Sequence, residues 1–140
     1  MDIDTLKVAA VYEVPGMKFE EVIYTKLKGS EDLNVAEKIF FCNQAEIRLK
    51  MIRVTIQNKT LRIEPGALYF MKGQLDLDSS IPGGFGRGML RKFMTGETLF
   101  QSTIKGTGEI YLEPTFGHFS IFELDNDSLI VDKGAFYAAS

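Results

Sequence analysis

The chain has no tryptophan, one cysteine and one histidine. It also has no uninterrupted apolar run near the ~20 residues needed to span a bilayer. Each scarcity removes a class of function. The lone thiol, Cys42, cannot close a disulfide within the chain, which fits a reducing compartment. Its setting, Ile39-Phe40-Phe41-Cys42, predicts a buried and inert side chain. The lone imidazole, His118, has no second imidazole for a metal site and no Ser-His-Asp spacing around it, so a surface or strand-edge position is expected. Cationic excess is missing too. Sixteen Lys and Arg against 19 Asp and Glu give a net charge of −3, which argues against a nucleic-acid partner. The start, Met1-Asp2-Ile3-Asp4, is acidic and lacks the apolar core of a secretory signal. A cytoplasmic protein without a transmembrane segment is therefore expected.

What remains is ordinary globular composition, 45% hydrophobic and 25% charged, over 140 residues. That length suits one domain over 1–140, burying roughly two-thirds of its unfolded surface. The most informative feature is a repeat. Ile56-Gln57-Asn58-Lys59-Thr60-Leu61-Arg62-Ile63-Glu64-Pro65-Gly66-Ala67-Leu68-Tyr69 aligns without a gap on Leu124-Asp125-Asn126-Asp127-Ser128-Leu129-Ile130-Val131-Asp132-Lys133-Gly134-Ala135-Phe136-Tyr137. Asn, Leu, Gly, Ala and Tyr are identical, and each copy reads strand, Asn turn, strand, Gly turn, new strand. Such a unit implies an all-β body with two related halves, the second incomplete at Ser140.

Along the chain, Leu6–Tyr12 and Met17–Leu27 read as strands around a Pro15-Gly16 turn. Asp32 or Ser30 can cap a short helix from Leu33 to Phe40, with Val35, Ile39 and Phe40 on one side. Apolar parity flips at Met51-Ile52, which predicts a bulge or bend. Asn58-Lys59 is expected to turn a hairpin that pairs Ile56 with Leu61. Pro65-Gly66 has type II turn chemistry. A strand follows from Ala67 to Asp78, broken at Gly73, with Leu75 and Leu77 alternating against solvated Asp76 and Asp78. Gly106-Thr107-Gly108 reads as another hairpin, and Phe119–Leu124 with Leu129–Val131 as the hairpin of the second copy. Short strands with turns every 8–12 residues point to a sandwich or barrel.

Three blocks also resemble a known family. They are Glu64-Pro65-Gly66-Ala67-Leu68-Tyr69-Phe70-Met71-Lys72-Gly73, then Gly96-Glu97-Thr98-Leu99-Phe100 preceded by Arg91 and Phe93, then Gly106-Thr107-Gly108-Glu109-Ile110-Tyr111-Leu112. In that order they are similar to the altered-inheritance-of-mitochondria (mitochondrial biogenesis) proteins over residues 52–139, with residues 1–45 outside the pattern. The resemblance implies a β-sandwich like that of the tryptophan RNA-binding attenuation protein. It implies little chemistry: bacterial members have no established activity, mitochondrial ones are associated with inner-membrane organisation, and no catalytic residues carry over.

Candidate chemistry is sparse. Gly83-Gly84-Phe85-Gly86-Arg87-Gly88 lacks Walker spacing and the βαβ setting of a dinucleotide site. With Met89–Met94 it forms a cationic loop, in which Gly84, Gly86, Arg87, Arg91 and Lys92 are the candidate contacts for an anionic ligand, a lipid headgroup or a partner. Structurally, the same segment can plug one end of the sandwich, with Leu90 and Phe93 inward. Asp125-Asn126-Asp127 lacks the rest of a calcium loop and reads as a turn. The aromatic residues are not interleaved with cations as a nucleic-acid platform requires.

The expectation is thus an all-β, two-sheet antiparallel sandwich with one or two short helices. It has no cofactor, no metal and no enzymatic activity, and it acts as an interaction or scaffold module. Its partner is protein, self or other, with peripheral membrane contact as a further option through the cationic loop. Ala135–Ala139 carries no charge or proline to blunt a strand edge. A homo-oligomer, or an N-terminal segment folding across residues 134–139, is expected to cover it.

Overall fold

A computed structural model of the chain describes residues 6–78, 102–132 and 134–140. Six strands and one helix occur among them: β1 (Leu6–Val14), β2 (Met17–Tyr24), α1 (Leu33–Gln44), β3 (Lys50–Ile63), β4 (Leu68–Asp78), β5 (Ser102–Leu112) and β6 (Ala138–Ala139). All pairings are antiparallel, so the expected all-β class holds. The described strands form one six-stranded sheet in the order β1-β2-β3-β5-β4, with β6 added to β3.

The turns with fixed dihedral chemistry fall where expected. Pro15-Gly16 joins β1 to β2, with Val14 opposite Met17 and Gly16 at φ +79°. At Pro65-Gly66 the Ala67 amide donates to the Glu64 carbonyl over 3.0 Å. Asp32 caps α1, its Oδ1 accepting the amides of Asn34 (2.9 Å) and Val35 (3.3 Å). The helix runs to Gln44 rather than ending at Phe40.

Two expected hairpins are not hairpins. β3 passes straight through Asn58-Lys59, and β5 passes straight through Gly106-Thr107-Gly108. Asn58 does take the left-handed conformation (φ +50°), but as the centre of a bulge between Ile56 and Lys59. Nor does Gly73 end β4. The bulge of β3 and the glycines of β4 and β5 fall at one level: Gly108 lies opposite both Ile56 and Gly73, and Gly106 opposite Lys59 and Leu75. Backbones approach closely there. A Cβ on Gly106 would run into the Gln74 carbonyl oxygen, and one on Gly73 would lie 2.6 Å from that of Thr107. Bulges bend strands and raise their twist, so this glycine line is a crease rather than a set of turns. Thr107 secures it, its Oγ1 accepting the Asn58 amide at 2.9 Å.

The bulge expected at Met51-Ile52 is also absent. β2 and β3 stay in register there, Val22 opposite Met51 and Glu21 opposite Ile52. The parity flip has another cause. β3 is central and buries both faces, leaving Met51 1% and Ile52 6% exposed. One face carries the main core, with Ile52, Val54, Ile56, Leu61 and Ile63 of β3 against Ile104, Ile110 and Leu112 of β5. Phe119, Tyr137 and Ala138 pack on its margin.

The second copy departs most from expectation. Phe119–Val131 contains no strand. Residues 134–139 are not covered by the N-terminal strands either. β6 lies on β3 instead, Ala138 opposite Ile63 and Ala139 opposite Arg62, with the Glu64 amide donating to the Tyr137 carbonyl at 3.0 Å. Cys42 is half-buried on α1 rather than sunk in a core.

Candidate functional site

The face of the sheet opposite the main core carries its polar chemistry. Alternation along the strands brings Glu20 of β2, Arg53 of β3, Tyr111 of β5 and Phe70 of β4 into one cross-strand row. Arg53 donates through Nε to Glu20 Oε1 (3.0 Å) and through Nη2 to Oε2 (2.9 Å), the bidentate fork that suits guanidinium and carboxylate. Lys18 Nζ stands 3.6 Å from Glu20 Oε1. Only 6% of Glu20 is exposed, and the Arg53 hydrogen bonds hold its carboxyl below the usual carboxylate range against the opposing effect of burial. The same bonds raise Arg53 further above its ordinary value. Phe70 stacks on Tyr111 at 4.2 Å between ring centroids, and the Tyr111 hydroxyl donates to Glu109 Oε2 at 3.2 Å. Lys72 reaches the same oxygen at 3.4 Å. Each carboxylate in this row is ion-paired, the row ties four strands together, and no buried side-chain nitrogen or oxygen among the described residues lacks a hydrogen-bond partner. Sequence alone did not disclose it, because the row depends on register; the only local trace was Glu20 among the alternating apolar residues of β2.

The other candidates fall apart on position. His118 is exposed, its Nδ1 3.2 Å from Lys50 Nζ. Asp76 and Asp78 lie on solvated positions of β4. Asn126 forms a left-handed turn at φ +51°, as the Asp125-Asn126-Asp127 composition suggested. No group of three or more His, Cys, Asp or Glu side chains that could hold a metal occurs among the described residues. Gly84, Gly86, Arg87, Arg91 and Lys92, together with Leu90 and Phe93, lie outside the described residues.

Apolar exposure is what the surface does offer. No residue of α1 is buried. Ala36, Ile39 and Cys42 are half-covered; Ile39 was expected on that side, whereas the expected Val35 and Phe40 are exposed. Leu33 is 83% exposed, Phe40 57% and Phe41 58%, the two phenyl rings meeting edge to face at 5.6 Å. A second apolar stretch follows β5, where Phe122 is 65% and Ile130 94% exposed. Glu123 in that stretch reaches Tyr12 of β1; exclusion from water and then this carboxylate push the phenol up from its ordinary value. No helix among the described residues is long and apolar enough to cross a membrane.

The described residues thus form an antiparallel, mostly β body with an exposed apolar surface on one part and an ion-paired polar row on another. The chain belongs to the mitochondrial biogenesis AIM24 family, whose model matches residues 44–140. That span begins a little before the residues 52–139 of the sequence resemblance and leaves out β1, β2 and nearly all of α1. No curated protein and no solved structure matches the chain.

Proposed function

We propose that this AIM24-family chain is a non-enzymatic interaction module that works through protein assembly, with itself or with another protein. The observation that carries the reading is α1. Isolated helices shorter than about 12–15 residues are marginal in water, and most protein helices are held by packing an apolar face. This one is capped and twelve residues long, yet it presents Leu33, Phe40 and Phe41 to solvent. Covering those rings with a partner would supply the missing packing. The cytoplasmic setting expected from the sequence belongs to the same proposal, and cell fractionation tests it.

The test compares the full chain with a Phe40→Ser/Phe41→Ser variant by native mass spectrometry and by affinity capture from native cells. Loss of a stoichiometric protein partner, or of self-association, in the variant alone supports the reading. Equal behaviour of the two proteins, or a retained small-molecule ligand on both, rejects it. The rival is an anion or lipid headgroup at the Gly83–Lys92 loop, and it rests on sequence alone.

A further inference from the structure

The two copies of the repeat touch each other, and the way they touch leaves one half of an equivalent contact unused on each. In the first copy Asn58 has φ +50° and Gly66 φ +84°; in the second, Asn126 has +51° and Gly134 +86°. The turn bond from the Ala67 amide to the Glu64 carbonyl recurs as Ala135 to Asp132, both at 3.0 Å. Within the chain, Arg62 and Ile63 of the first copy pair with Ala139 and Ala138, the strand that follows the second copy's Gly turn.

Exchanging the copies in that contact gives its counterpart. Arg62 and Ile63 correspond to Ile130 and Val131; Ala139 and Ala138 correspond to Met71 and Phe70. Both sides of this second contact are open. Ile130 is 94% exposed and Val131 43%, and no backbone hydrogen bond among the described residues engages either. Across from them, among the described strands β4 is a sheet edge paired with β5 alone, with Tyr69 51% and Phe70 43% exposed. Among the described residues the chain does not close this contact on itself.

Resting on the assembly reading above, we infer that Ile130–Val131 of one molecule adds as a strand to the outer edge of β4 in a second copy of the chain, Ile130 opposite Met71 and Val131 opposite Phe70. The occupant is specified by the intramolecular β3–β6 pairing, which already shows these two kinds of segment joined antiparallel. The interface is head to tail, since each molecule offers one side to one neighbour and the other side to the next. It therefore propagates to a ring if the rotation closes and to a filament if it does not. Main-chain hydrogen bonds supply the adhesion, and burial of Ile130 and Phe70 adds the apolar part.

Register-specific crosslinking tests this in the full chain with Cys42→Ser. Directly opposed antiparallel residues have Cβ atoms about 4.5–5.5 Å apart, within small adjustment of disulfide geometry. Val131→Cys mixed with Phe70→Cys should yield a disulfide-linked pair under mild oxidation, and Val131→Cys mixed with Gln74→Cys should not. Arg62→Cys/Ala139→Cys in one chain, which should close internally, controls for oxidation. Sedimentation of Ile130→Lys/Val131→Lys should show self-association weakened at least tenfold while the far-ultraviolet spectrum is unchanged. A disulfide forming within one Val131→Cys/Phe70→Cys chain overturns the inference, and so does a monomeric wild type at high concentration. Self-association that survives Ile130→Lys/Val131→Lys but is lost on Phe40→Ser/Phe41→Ser refutes this contact and leaves the general assembly reading standing.

Discussion

The first copy, Ile56–Tyr69, and the second, Leu124–Tyr137, share sequence, both left-handed positions and the Gly-turn hydrogen bond, yet they differ in almost everything else. Leu61 of the first is fully buried within β3; its counterpart Leu129 is 48% exposed in a segment without strand pairing. The lesson is that local sequence fixes where the backbone turns, while neighbours decide whether the residues between turns become a sheet. Leu61 has Ile104 of β5 opposite it. β-Propensity is largely a measure of such cross-strand company.

The sharpest way to break the comparison is to truncate the two leucines. Leu61→Ala should cost about 3 kcal/mol in urea unfolding, a buried leucine deletion, whereas Leu129→Ala should cost under about 0.5 kcal/mol in dilute solution. Equal losses would mean that the second copy is packed as well as the first.

Next in size is the clamp beside the first copy. Arg53→Ala should destabilise by about 2 kcal/mol, because it strands the Glu20 carboxylate in a nearly dry site. The pH dependence has a definite sign. Folding lowers the Glu20 pKa from its ordinary 4.5, so the clamp contributes fully above that value and is lost as pH falls through the lower folded one. Glu20→Gln should therefore be less stable than wild type near neutrality, and the gap should shrink in acid. A gap independent of pH would remove charge from the explanation.

Smaller still, and equal in the two copies, should be the glycine effects. Gly66 and Gly134 each have positive φ and open space where a Cβ would go. Gly66→Ala and Gly134→Ala should then each cost on the order of 1 kcal/mol, from backbone conformation alone. Matching melting shifts would show that the turns are equivalent even though the strands are not. The smallest effect is expected at positions outside both copies in the sequence. Arg91→Glu/Lys92→Glu should leave flotation with anionic liposomes unchanged, and salt-sensitive binding lost in that variant would favour the lipid reading of the loop.

Elements whose ends are set by local chemistry were legible from sequence. Pro15-Gly16, Pro65-Gly66 and the Asp32 cap each act through their own few atoms, and each lies where expected. Asn58 and Gly106-Thr107-Gly108 were misread because a positive φ serves a bulge or a crease as well as a tight turn; only the opposing strand distinguishes them. The alternation at Met51-Ile52 was misread for the same reason, since a strand buried on both faces looks like one that has slipped. Of the candidate site residues, His118 was expected at the surface and lies exposed there. The Glu20–Arg53–Tyr111 row was not readable, because its members come from three strands whose alignment no single stretch encodes.

The central place of β3 has a kinetic consequence. It takes hydrogen bonds from β2 on its N-terminal side in sequence, from β5 across the chain's middle, and from β6 near the far end. The β1–β2 hairpin can zip within microseconds, since its ends are already adjacent. β3 cannot be completed until distant segments find it, and such non-local pairing slows all-β domains to milliseconds or seconds. During that search Leu61 and Ile63, later almost fully buried, are bare on an incomplete strand. The residues that make the finished protein secure are thus the ones that make its newly synthesised chain vulnerable to aggregation.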